Sequence, residues 1–153
     1  MNTPSNKRGF TILLAALVAS LVLALGISVF SIAQKQLILS STGRNSQYAF
    51  YAADTAAECA LYWDARFNYF GTTTPPGIDP ACDAQLLGAT GNRTSYPYTI
   101  AFEFEPNGYC ARVTVRKNTV HPRTLIRANG YSVGCDAIAT SDRALQRSVE
   151  LSY

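Results

Sequence analysis

A long run of uncharged residues near the N-terminus constrains this chain more than any other feature. Residues 10–33 contain no Asp, Glu, Lys, Arg or His. As an α-helix the run would be about 36 Å long, enough to cross a hydrocarbon core of about 30 Å. Lys7 and Arg8 lie just before it, and the positive-inside rule keeps that end in the cytoplasm. We therefore predict a single span of the cytoplasmic (inner) membrane, with the remainder of the chain outside.

Three kinds of N-terminal segment are compatible with such a run. A secretory signal peptide has an apolar stretch of only ~7–15 residues, although Ser-Ile-Ala at residues 31–33 does match a small-x-small cleavage site. A plain signal anchor explains the hydrophobicity but gives no role to Gly9 and Phe10. The third interpretation rests on those two residues.

The sequence Lys-Arg-Gly-Phe-Thr at residues 7–11, followed by the apolar run, resembles the class III signal of type IV pilins and pseudopilins. In that family a prepilin peptidase cuts after the glycine on the cytoplasmic face and methylates the new N-terminal phenylalanine. The resemblance implies that residues 1–9 are a cleaved leader carrying the charges of Lys7 and Arg8. Cleavage would fall between Gly9 and Phe10, and Phe10 would be N-methylated.

The same resemblance implies partners and a final location. The partners would be other pilin subunits through the N-terminal helix, the prepilin peptidase, the pilus assembly platform, and membrane lipid before assembly. The assembled protein would lie in a pilus at the cell surface. Type IV pilus and secretion-system pseudopilus are both compatible with these residues.

One position departs from the family pattern. The fifth residue of the mature chain is usually a glutamate in this family, and here it is Leu14. That carboxylate is assigned to an ion pair with the N-terminal ammonium of a neighbouring subunit, and such a pair in an apolar bundle is costly when half-made. A subunit at the tip has no predecessor to pair with, so Leu14 predicts a minor, tip or priming subunit. The alternative is a lineage whose main filament assembles without this pair.

The apolar run continues into an amphipathic segment, residues 34–63. Six residues recur at three- and four-residue steps and form one helix face: Ala49, Ala52, Ala53, Ala56, Ala60 and Trp63. Residues 10–63 are therefore predicted to form one helix of about 80 Å, in which Gly43 is a weak point that costs ~1 kcal/mol relative to alanine. Residues 40–54 also resemble PilX-like minor pilins, where a small-polar stretch leads into an aromatic-Ala-Ala-acid motif.

The remainder of the chain predicts a connecting loop and a sheet. Prolines and glycines are dense in residues 64–95, which predicts irregular structure. In residues 96–153 apolar and polar residues alternate in four segments, which predicts an antiparallel meander. Its first turn is Asn107-Gly108, and Asn129-Gly130 would interrupt the third strand as a bulge or turn. The predicted fold class is α+β, with a long N-terminal helix packed on a small antiparallel sheet, as in pilins.

Four cysteines at wide spacing predict disulfides. Neither a C-x-x-C pair nor a nearby histidine accompanies them, so a zinc site is disfavoured. An even number of cysteines beyond a membrane span indicates two disulfides in an oxidising compartment. Cys59–Cys82 would anchor the loop to the helix, and Cys110–Cys135 would tie the second strand to the segment after the third. The other two connectivities remain open.

No catalytic motif emerges from the sequence, so we predict a protein that is not an enzyme and has no cofactor or metal. His121 is expected in an exposed turn before Pro122, and Asp54 and Glu58 on the helix face opposite the alanines. Residues 92–94 match a glycosylation sequon.

The charges do not favour a nucleic-acid partner. The formal net charge is +3, and two of the positive charges belong to the leader, whereas nucleic-acid binding needs a clustered basic surface. Arg116, Lys117, Arg123 and Arg127 are a candidate basic patch, although strand faces of soluble domains often carry such charges. The alternative function is an unprocessed single-pass anchor whose extracytoplasmic domain binds a partner.

Overall fold

The computed structural model describes residues 8–73, 77 and 79–153, with side chains from residue 10 onward. Residues 1–7, most of the predicted leader, and the side chain of Arg8 lie outside that description, as do residues 74–76 and 78. One α-helix, α1, extends over Arg8–Phe67. The chain divides into two units, Met1–Thr42 and Gly43–Tyr153, here named the helical unit and the globular unit.

The helical unit contains, in its described part, only the first half of α1. Every described side chain from residue 10 to residue 42 is exposed. Three hydroxyls donate hydrogen bonds to carbonyl oxygens three or four residues earlier: Ser20 to Leu17, Ser28 to Ala24 and Ser31 to Ser28. Because each serine satisfies its hydroxyl on its own helix, these residues leave the apolar surface uninterrupted.

The globular unit combines the second half of α1 with two antiparallel sheets. The strands are β1 (Ala81–Cys82), β2 (Gln85–Leu86), β3 (Tyr98–Phe104), β4 (Ala111–Lys117), β5 (Thr124–Tyr131) and β6 (Gln146–Ser152). β1 pairs with β2, and the larger sheet has the order β3-β4-β5-β6. These elements confirm the α+β class, a long N-terminal helix packed on a small antiparallel sheet.

The core lies between α1 and the inner face of the larger sheet. Six helix residues are buried: Ala49, Ala52, Ala53, Ala56, Ala57 and Ala60. Ala57 belongs to this face although the predicted stripe omitted it, and Trp63 is only partly buried. The strand residues that point inward include Ile100, Phe102, Val113, Val115, Ile126 and Ala128. The predicted packing of the long helix on the sheet is confirmed, and the alanine face is the part of α1 that the sheet covers.

The predicted bulge or turn at Asn129-Gly130 is wrong. β5 is continuous, and Gly130 pairs in register with Ala111 on β4 and Arg147 on β6. A Cβ built on Gly130 would overlap the backbone oxygen of Ala49 and the backbone nitrogen of Ala53. The glycine therefore marks a close approach of strand and helix rather than a turn.

The turns follow the local sequence more closely. Asn107 and Gly108, between β3 and β4, both have positive φ, at 53° and 79°, as predicted for an Asn-Gly pair. Residues 64–95, predicted to be irregular, contain regular structure in two places. α1 continues to Phe67, and the β1–β2 hairpin lies further along the segment. Asp83 and Ala84 form the hairpin turn with positive φ.

Candidate assembly and interaction surfaces

The N-terminal half of α1 exposes apolar side chains along its described length. By length and composition this helix could cross a membrane, and its most apolar window has a mean hydropathy of 2.8 and no buried residue. A helix that is apolar all round is stable in water only when other elements cover it. The direction in which the helix would cross remains a prediction.

The residues predicted to direct processing and assembly lie at the start of this helix. Gly9 and Phe10 are in its first turn, because α1 begins at Arg8, and Lys7 lies outside the described residues. Phe10 and Leu14 are exposed, at 72% and 52%. Cleavage, methylation and the assembly role of Leu14 stay predictions.

Two disulfides hold the irregular segments of the globular unit to its regular elements. Cys59 on α1 bonds to Cys82 on β1, with a Cα–Cα distance of 6.2 Å. Cys110, just before β4, bonds to Cys135 at 4.6 Å. The Trp63 ring nitrogen also donates to the Ala81 oxygen at 3.1 Å, beside the first disulfide.

The cysteines also account for a cluster that resembles a metal site. Potential ligand atoms of Glu103, Cys110 and Cys135 lie within 4.8 Å of one another. Both sulfurs belong to a disulfide, and a metal binds the thiolate form of cysteine. This group therefore cannot serve as a thiolate site while the disulfide is intact.

A buried charge cluster, which local sequence patterns do not indicate, joins the end of α1 to β4, β5 and the residue after β6. The Lys117 ammonium donates to Asp64 Oδ2 at 2.5 Å and to Thr124 Oγ1 at 2.8 Å. The Tyr153 hydroxyl donates to the same Asp64 oxygen at 2.5 Å. Asp64 is 6% exposed and Lys117 8%. Burial, and then the hydrogen bond to Asp64, raise the pKa of Tyr153 well above its ordinary value.

The candidate basic patch does not form, because two of its four members have acidic partners. Lys117 is buried against Asp64, since it continues the inward alternation of β4. Arg127 forms an ion pair with Glu150 across the β5–β6 register at 2.6 Å. Arg116 and Arg123 remain exposed. Arg112 on β4 forms an ion pair with Glu103, directly opposite it on β3, at 3.0 Å.

Two other polar residues have the exposure expected of them: His121 is exposed in the β4–β5 turn and Glu58 is exposed on α1. Asp54, expected beside Glu58 on the face opposite the alanines, is half-buried. Asn92 of the sequon is exposed, and its Oδ1 accepts a hydrogen bond from the Thr94 amide at 3.1 Å.

Exposed aromatic residues mark a second apolar surface on the first turns of α1 in the globular unit. Phe50 is 46% exposed and Tyr51 63%. Tyr48 stacks on Tyr109 at 4.7 Å between ring centroids. A cavity of ≈360 Å³ lies beside Phe50 and Tyr51 and is completed by Ser46, Gln47 and Arg147.

Comparison with protein-family models, with curated proteins and with solved structures gives no match to this chain.

Proposed function

We propose that this chain is a structural subunit of a type IV pilus or a related pseudopilus, processed after Gly9 and assembled through its N-terminal helix. The observation that carries the proposal is the apolar half of α1. Its described side chains are exposed along the whole run, yet the same helix continues into a folded globular unit. A helix of this kind requires lipid or other helices as its surroundings, and a filament subunit uses both in succession.

The globular unit supports a location outside the cytoplasm. Both cysteine pairs are oxidised, and disulfides persist in oxidising compartments. Lys7 and Arg8 on the other side of the apolar run favour the matching orientation, with the N-terminus in the cytoplasm. These two features are independent of each other, because one is a property of the leader and the other of the domain.

Leu14 supports a minor subunit, at the tip or in priming. A subunit that lacks the acid cannot neutralise the terminal ammonium of a neighbour inside an apolar bundle, where an unpaired charge is costly. At the tip that contact is not required. A filament that assembles throughout without the pair is the competing explanation, and the position of the protein along the filament separates the two.

N-terminal mass spectrometry of the protein from its native membrane tests the processing step. The proposal expects a chain that starts at Phe10 and carries one additional methyl group. A chain that starts at Met1 would instead support the unprocessed anchor, and one that starts at Gln34 would exclude both.

A pair of glycine variants provides the matched control. Gly9→Val should block cleavage and filament incorporation because the peptidase of this family cuts after glycine. Gly26→Ala lies within the same helix, where an added Cβ meets no atom within 4 Å, and should leave both unchanged. Normal size and incorporation of Gly9→Val would contradict the proposal.

A further inference from the structure

We propose that the outer edge of β6 is a docking site for an extended segment of a partner protein, which adds a fifth strand to the larger sheet. β6 is an edge strand, since the sheet order ends with it. An edge strand presents a row of unpaired backbone groups, and peptide recognition by strand addition uses such a row.

The register identifies the backbone groups that are available. Thr124 and Tyr153 exchange hydrogen bonds at 2.9 and 3.1 Å, and the Ser132 amide donates to the Leu145 oxygen. In an antiparallel pair every second residue makes such bonds, so Arg147, Val149 and Leu151 face β5. The amides of Ser148, Glu150 and Ser152 therefore face away from the sheet, with no hydrogen bond to any described residue.

An apolar surface flanks this free edge. Arg147 Nε donates to Ser46 Oγ at 2.8 Å, and Tyr153 to Asp64, so β6 follows one side of α1. Phe50 and Leu61 lie four and fifteen residues after Ser46, which is close to one and four whole turns of a helix. Both residues therefore belong to the same side of α1 as Ser46. Phe50 is 46% exposed, and Val149 and Leu151 are half-buried. A strand added beside β6 would cover these side chains with its own inward-facing residues.

The cavity beside Phe50 defines the chemistry of one end of the partner segment. It is lined by Ser46, Gln47, Phe50, Tyr51 and Arg147. Arg147 uses Nε for Ser46, and no carboxylate among the described residues pairs with its terminal nitrogens. A carboxylate side chain is the natural partner of a guanidinium. The occupant is therefore a segment with apolar and polar residues in alternation and an acidic residue next to Arg147.

A second copy of this chain does not fit the edge. The edge of β3 is occupied at its centre, because Thr90 and Ala101 exchange two backbone hydrogen bonds at 2.8 Å. When two β6 strands pair antiparallel, the outward residues Ser148, Glu150 and Ser152 of one strand lie opposite those of the other. Arg147 then lies opposite Arg147, Val149 or Leu151, so self-pairing places no carboxylate next to the guanidinium.

The test uses the full chain in detergent and synthetic seven-residue probes, matched to the seven residues of β6. The main probe alternates valine and serine and has an aspartate at one end; a second has lysine in place of the aspartate. We expect saturable binding of the aspartate probe by fluorescence anisotropy, at least tenfold weaker binding of the lysine probe, and slower hydrogen exchange at the amides of Ser148, Glu150 and Ser152. Absence of binding, or protection at other amides instead, would overturn the proposal.

Two matched comparisons separate strand addition from nonspecific adhesion. Ser148→Pro removes an outward amide that β5 does not use, whereas Ser148→Ala keeps it; both lose the hydroxyl contact with Asn129. Proline at such an edge position is tolerated, and we expect it to weaken binding at least tenfold relative to alanine. If Ser148→Pro fails to fold, two probes N-methylated on alternate amides replace it, and one of them should bind at least tenfold more weakly than the other.

Equal probe binding by Ser148→Pro and Ser148→Ala, or equal binding of the two N-methylated probes, would refute the proposal. Dimerisation of the chain that Ser148→Pro abolishes would also refute it, since the occupant would then be a second copy. None of these readouts depends on leader processing or filament formation. A negative result for the β6 docking site therefore leaves the pilus proposal unaffected, and absence of N-terminal processing leaves the docking proposal unaffected.

Discussion

Removing one partner of the buried ion pair between Lys117 and Asp64 should destabilise the protein far more than removing one partner of an exposed ion pair among the described residues. The substitution Lys117→Met keeps the aliphatic volume but removes the ammonium, which leaves the Asp64 carboxylate buried with only the Tyr153 hydroxyl as donor. Breaking a buried pair by removing one partner costs about 3–5 kcal/mol. Because Tyr153 still donates to Asp64, we expect the lower end, about 3 kcal/mol. For a domain near this size, that loss lowers Tm by roughly 10–15 °C.

The assay is thermal and urea unfolding of the full chain in detergent, followed by circular dichroism in the near ultraviolet, which reports the packing of the aromatic side chains. Arg127→Met is the matched control, because it breaks an ion pair whose side chains are 57% and 46% exposed, and such pairs contribute about 0–1 kcal/mol. A double variant, Asp64→Leu with Lys117→Met, should recover much of the lost stability because no unpaired charge remains. A loss for Lys117→Met no larger than that for Arg127→Met would refute the reasoning.

Three further results are expected. Gly130→Ala should destabilise the globular unit by about 1–3 kcal/mol, because the added methyl group overlaps the backbone of α1. The control is Gly88→Ala, whose added Cβ meets no atom within 4 Å; it should change the unfolding free energy by less than about 0.5 kcal/mol. Burial, followed by hydrogen bonding with Tyr96, raises the pKa of Tyr98 to about 12 from 10.0. Because the folded state holds the proton more tightly, the stability that this group contributes is fully present below pH 10 and falls between pH 10 and about 12. Tyr98→Phe should reduce that alkaline loss of stability in a pH series of urea unfolding. If the proposed tip role is correct, Leu14→Glu should spread the protein along the filament in immunogold micrographs, whereas Leu17→Glu should not, and a tip-only signal for Leu14→Glu would contradict the assignment.

Much of the fold follows from local patterns. The strands β3 and β4 alternate inward and outward residues as their sequences predict, and the Asn107-Gly108 turn between them has the expected positive φ. These features depend on residues that are neighbours in the chain, so local sequence contains the needed information. The cross-strand pair of Glu103 and Arg112 follows from the hairpin register once that turn is known.

The wrong predictions share a different cause. A glycine after an asparagine indicates a turn in the local sequence, but at Gly130 the backbone of α1 lies where a side chain would be. Lys117 is a candidate for a surface patch when only its charge is considered, but the inward alternation of Ala111, Val113 and Val115 continues to it. That alternation was a signal for its burial, but the presence of Asp64 opposite could not be seen from β4 alone.

The sequence by itself therefore determined the apolar helix, the alanine face and the strand alternation, because each is a periodic property of a continuous segment. Only the tertiary structure decided that Gly130 contacts α1 and that Asp64 and Lys117 share a buried site. It also decided that Thr90 bonds the centre of the β3 edge, whereas no described residue bonds the outward amides of β6. Each of these depends on which distant segments pack together. Their positions are set by burial of the whole core, a sum over many contacts that no single stretch of sequence contains.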